Sequence, residues 1–276
     1  MAAIVLALGA SLTWGLADFF GPLQGRILGA LRTLVYVQLG GLVGIALIVA
    51  VRDKGPDDAT VLLAVPAAVS GTLGLFAYYR GIAVGAISIV APIAGISAIV
   101  PVIVGILSGD RPSAWQLLGI ACALVGVFLA AREPGRGGTR FAAGVGLAML
   151  AAVGFGGYFP FMHAAGNADF WWASLIFRMA STSVILLAVA AQRPALRVPG
   201  RVLPWLVLIG LGDMFGNLLF AAASASGLVS ITSVLASLYP IVTVVLARLL
   251  LAEEVARTQE AGIGLTLAGV ALISAG

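Results

Sequence analysis

One segment of this chain is written twice. QLLGIACALVGVFL, from Gln116 to Leu129, aligns with QEAGIGLTLAGVAL, from Gln259 to Leu272, at a constant offset of 143 residues, and seven of the fourteen pairs are identical. Upstream, GAISI at 85–89 answers GLVSI at 227–231 at an offset of 142, and Asp110 answers Glu253 at 143. Chance similarity between two Leu-rich segments does not preserve Gln, Gly and acidic positions in order over 45 residues. The chain is a duplication, so its fold must be one that a unit and its copy build together.

Composition decides the solvent of that fold. Hydrophobic residues are 61% of the 276, charged residues 9%, and the mean hydropathy is +1.13. A water-soluble chain of this length needs far more charge to cover its surface, so this one belongs in lipid. No small-residue cleavage site follows the first apolar run, which is therefore expected to be a retained helix. The single Cys122 excludes an intrachain disulfide. The Arg residues stand singly at segment ends, the pattern of loop anchoring rather than of a nucleic-acid patch, and no nucleic-acid partner is expected.

Runs of about 20 residues, the length a helix needs to cross hydrocarbon, occur at 1–20, 32–51, 61–79, 83–107 and 113–131. They recur at 141–162, 170–191, 203–223, 229–251 and from 258 to the end. The polar stretch REPGRGGTR at 132–140 reads as a linker. The expected fold is an all-α membrane protein of ten transmembrane helices: a first repeat at 1–131 and a second at 141–276. Five crossings leave the second repeat starting on the opposite face from the first. The two units are then inverted, related by an axis in the membrane plane, which is the architecture of alternating-access carriers. TWGLADFFG at 13–21 aligns with GFGGYFPFM at 154–162 at an offset of 141, placing Gly15 over Gly156. A largely apolar cavity is expected between the units, lined by the first, third, fourth, sixth, eighth and ninth helices.

The doubled five-helix unit, Trp14-Gly15 in the first helix, YYRGIAVG at 78–85, and the series Asp110, Gln116, Gly119, Gly126 against Glu253, Gln259, Gly262, Gly269 together resemble the EamA-type members of the drug/metabolite transporter superfamily. The resemblance implies two EamA units around a central substrate cavity. It also implies secondary transport, often export, of small metabolites such as amino acids. Proton coupling, residence in the inner or plasma membrane, and a monomeric or homodimeric state are further expectations for the chain. No cofactor is implied. The first copy departs from the family in carrying Asp110 where Glu is usual.

An ionisable group inside lipid costs about 2.5–3.5 kcal/mol on insertion scales and needs a reason. Asp213 sits mid-way along the eighth run with Asn217 one turn on, so both share a helix face. Its repeat mates are Gly71 and Leu75, so the duplication itself does not require an acid there. Arg178, in the seventh run, is the expected counter-ion. A clamp between two helices and a substrate or proton site are both open for this pair. Asp18 is a candidate site residue or an interfacial acid at the end of the first run. Trp14, Tyr78, Tyr79 and Tyr239 line an aromatic cavity or belong to interfacial belts, which use the same residues. His163 has no Cys or His partner nearby, which argues against a metal site.

Two other classes share features with this sequence. GLGD at 210–213 matches the GxGD of intramembrane aspartyl proteases, with Asp18 as the only available second acid, but PAL at 194–196 precedes it rather than follows, and duplication is foreign to that fold. A channel is disfavoured because no ring of like polar residues occurs. Charge sets orientation: Arg52, Lys54 and Arg111 lie on the side of the termini against nine Arg on the other, which by the positive-inside rule places both termini outside. The family resemblance implies the opposite.

Overall fold

The structure, a computed structural model, describes residues 1–56, 58–84, 94, 96–131, 141–251 and 256–275; at 22, 26, 79–84, 130–131, 141–144, 244, 247, 248, 251 and 274 only the backbone is described. The expected linker at 132–140, GAISI at 85–89 and Glu253 lie outside the described residues, as does the side chain of Tyr79.

Among the described residues regular structure is helical throughout. Helix α1 spans Ala2–Leu28 and α2 spans Ala30–Arg52. A 3-10 turn at Ala59–Leu63 leads into α3, Ala64–Val84. A second, Ile96–Ala98, leads into α4, Ile99–Leu107, followed by α5, Ala114–Ala131. Helix α6 runs over Phe141–Gln192, α7 over Leu203–Ser224, α8 over Val229–Ala236, α9 over Tyr239–Leu251 and α10 over Arg257–Ala275. Among the described residues five stretches are long and apolar enough to cross a membrane: 2–25, 30–52, 59–78, 145–192 and 203–224.

Several boundaries differ from the expectation, and three of the differences have a physical reason in the residues. Helix α1 does not stop at Phe20 but continues to Leu28, where Gly29 takes a positive φ of 95° and its N–H bonds the Gly25 carbonyl. Gly and Pro inside a lipid-embedded helix are tolerated where neighbouring helices support the turn, so Gly21-Pro22 is no stop signal here. Helix α6, 52 residues long, would measure about 78 Å if straight, more than twice a hydrocarbon core. It is two helices joined at the extended residue Asp169. The Asp169 carboxylate accepts from the N–H groups of Trp171 at 2.9 Å and Trp172 at 3.2 Å, capping the second arm, and Arg52 at the end of α2 reaches it at 3.4 Å. The expected continuous helix at 229–251 is broken between α8 and α9. Pro240 has no N–H to give the Ala236 carbonyl and its ring crowds that oxygen, so the chain turns at Ser237 and Leu238. The 3-10 turn Ile96–Ala98 lies at the matching place in the first unit, 142 residues earlier.

The contacts between the two units come in exchanged pairs. A Cβ on Gly15 would stand 2.4 Å from Val242 Cβ and 2.9 Å from the Tyr239 carbonyl; one on Gly156 would stand 2.6 Å from both Val100 Cβ and the Ser97 carbonyl. Ser97 and Val100 are the repeat mates of Tyr239 and Val242, so each unit presents the same glycine to the same turn of the other. Gly216 against the Trp14 ring is matched by Gly74 against Phe155 in the same manner. Helices α5 and α10 touch at Gly119 with Gly269 and at Gly126 with Gly262, so they run antiparallel through their shared crossing. Small residues at such crossings let backbones approach. The matched Gln residues are caps. Gln116 Oε1 accepts from the Ser113 N–H and Gln259 Oε1 from the Ala256 N–H, each at 2.9 Å at the start of α5 and α10.

Candidate functional site

A cavity of about 200 Å³ lies between the units. It is walled by α1, α2 and α3, by the turn at Ser97, by both arms of α6, by α7 and by Tyr239 at the start of α9. The second helix, through Thr33, Leu34, Val37 and Gln38, and the seventh run, through Phe177 and Ser181, join the walls expected from the sequence. Gly21, Gly25 and the exposed Ala30 border one end. Beyond the other end the buried side chains of Met162, Phe220 and Leu235 fill the space between helices.

The deep wall is aromatic. Trp14 on α1 is met edge-on by Tyr158 and Phe159 of the first arm of α6, with ring centroids 5.9 and 6.3 Å away, and by Tyr239 at 6.4 Å. One turn above Trp14, Asp18 borders the cavity. Helix α1 continues ten residues past it. Tyr78 is not among the lining residues; it packs on Phe155 with centroids 6.0 Å apart.

Asp213 and Asn217 project from one face of α7 into the cavity wall. Asn217 does not touch the Asp213 carboxylate: its Nδ2 donates to the Asp213 backbone carbonyl at 2.8 Å, and its Oδ1 accepts from the Tyr158 hydroxyl at 2.9 Å. Arg178, on the second arm of α6, donates from Nη2 to Asp213 Oδ2 at 2.7 Å. It also donates from Nη1 to Gln38 Oε1 on α2, which accepts from the Ser181 hydroxyl at 3.3 Å as well. The guanidinium fits behind the wall because Gly41 lacks a side chain: a Cβ there would stand 3.1 Å from Arg178 Cζ. Three helices are thus tied through one buried cation. Gln38 and Thr33 escaped the sequence reading, although a polar residue inside an apolar run was the available signal. Among the described residues no group of three His, Cys, Asp or Glu is placed to hold a metal. His163 Nε2 accepts from Asn167 Nδ2 at 3.1 Å.

At the far end from Ala30 the first unit holds the second through Asp110. Its Oδ2 accepts from the Ser230 N–H at 2.9 Å and the Ser230 hydroxyl at 2.6 Å, at the first turn of α8.

The family model described as the EamA-like transporter family matches residues 1–132 and again 142–275. No curated protein matches the chain. One solved crystal structure superposes with a TM-score of 0.80 at 19% identity, covering 99% of this chain and 95% of the other. At that identity the likeness is one of fold alone.

Proposed function

The chain belongs to the EamA-like transporter family and is a multi-pass membrane transporter of the drug/metabolite type, and on that premise we propose that it is a secondary active exporter of small organic solutes working by alternating access. In this reading ten spans form two inverted five-helix units, and a solute enters the cavity between them, contacts Asp18, Asp213, Asn217, Trp14 and Tyr239, and leaves on the opposite side when the units rock.

The observation that carries the reading is the cavity itself. It lies where the units meet, is bordered at one end by exposed Ala30, and is backed at the other by packed apolar side chains. The polar tie Asp110–Ser230, between units at the backed end, is the kind of contact that rocking would have to release. Proton coupling through Asp18 and placement in the inner or plasma membrane belong to the same proposal. The protease reading draws no support, because Arg178 occupies Asp213 Oδ2, where a catalytic dyad would need its shared proton.

The test is a metabolite-panel efflux assay on the purified protein in liposomes, with and without a pH gradient. Gradient-driven movement of at least one solute, absent from protein-free liposomes, is the expected result. Passive conduction with no saturation would favour a channel, and no movement across a broad panel would defeat the reading.

A further inference from the structure

The lining of the cavity narrows the solute class, an inference that rests on the transport reading above. Among the described residues bordering it are two carboxylates, Asp18 and Asp213, and no Lys, Arg or His. Asp213 is matched from behind the wall by Arg178. Asp18 has no hydrogen-bond or ion-pair partner among the described residues, so its carboxyl group borders the cavity without a protein partner there. A carboxylate at membrane depth persists only where water or a counter-charge reaches it.

The walls point the same way: Trp14, Tyr158, Phe159 and Tyr239 border the cavity, and the face of an aromatic ring attracts a cation. A solute carboxylate, by contrast, finds no free cation among the described residues bordering the cavity. The one nearby guanidinium is 1% exposed and already bound to Asp213 and Gln38. At about 200 Å³ the space is small beside ligand pockets of roughly 300–1,000 Å³, so the solute is small.

We propose that the cavity takes small organic monocations of the amine class, an ammonium at Asp18 with an apolar body against the aromatic wall, in preference to zwitterions and anions of the same skeleton. The four head groups on a phenethyl skeleton test this directly: phenethylammonium, phenethyl alcohol, phenylalanine and phenylpropionate, titrated by calorimetry into the purified full chain in detergent. Phenethylammonium is expected to bind at least tenfold more tightly than each of the others. Asp18→Asn, checked for monodispersity and unchanged helicity, should weaken it at least tenfold, and Asp18→Glu should keep most of the affinity. Equal binding of ammonium and alcohol, tighter binding of phenylalanine, binding of none of the four, or full ammonium affinity in Asp18→Asn would each overturn the proposal. Were Asp18→Asn to misfold, the ranking of the four head groups on the unaltered protein decides alone. Binding needs no gradient, so the two readings fail separately. Zwitterion flux in liposomes without ammonium binding defeats the solute class and leaves transport standing, whereas ammonium binding without flux of any solute defeats transport and leaves the solute class supported.

Discussion

Arg178 donates to Asp213 across 2.7 Å from entirely within the protein, its own side chain 1% exposed while that of Asp213 keeps 29% of its surface open. The pair is lopsided. The cation depends on its partner, whereas the acid has the cavity to turn to.

That asymmetry sets the first prediction. Asp213→Asn strands a buried guanidinium and should lower the unfolding free energy in detergent by about 3–5 kcal/mol, the scale for breaking a buried pair. Arg178→Met leaves Asp213 facing the cavity and should cost less. The double variant should recover most of the loss, giving a coupling well outside additivity. Strictly additive losses would show that the pair does not act as a unit. Transport per folded molecule, read on the same Asp213→Asn protein, separates a clamp from a site: normal flux would remove Asp213 from the solute path.

The exchanged glycine contacts predict equal penalties in the two units. Gly15→Ala and Gly156→Ala each push a methyl into a valine and a backbone carbonyl of the other unit, and overpacking of this kind costs about 1–3 kcal/mol. Gly146→Ala, with nothing within 4 Å of the added carbon, should be neutral or slightly stabilising. Thermal melts of the three variants check this; a large gap between Gly15→Ala and Gly156→Ala would contradict the exchange.

Loss of the matched caps should be mild and alike. Gln116→Ala and Gln259→Ala each free one N–H at a helix start, which costs about 0.5–2 kcal/mol. A loss beyond about 3 kcal/mol at either position would mean that the glutamine does more than cap.

Asp110→Ala removes both bonds to Ser230 and should cost about 1–2 kcal/mol, with Asp110→Asn retaining much of it through the remaining acceptor oxygen. Equal melts for Asp110→Ala and the unaltered chain would discount the tie.

The repeat register was legible because packing needs the same small and capping residues in both copies: Gly15 and Gly156, Gly119 and Gly262, Gln116 and Gln259 all reappear in equivalent contacts. The Arg178–Asp213 pair was legible because two charges in lipid have few alternatives to each other. The role of Gln38 was not, since a polar residue inside an apolar run marks a position without naming a partner 140 residues away. The length of α1 was hidden by Gly21-Pro22, which reads as a stop in water and is spanned here by a helix buttressed by its neighbours. The break before Tyr239 was readable from Pro240, but the apolar run around it favoured a single span. Tyr78 packs on Phe155 and does not border the cavity, because residue type does not fix which way a helix turns its faces.

Alternation of access is the central claim, and one measurement meets it most directly. In a Cys122→Ser background, Ser97→Cys places a thiol of nearly native size on the cavity wall. The variant is reconstituted in liposomes and offered a membrane-impermeant thiol reagent from outside or from the lumen, with and without the solute found in the efflux panel. Reaction from both faces, with solute shifting the balance between them, is the expected result. Reaction from one face only under every condition would contradict alternating access through this cavity.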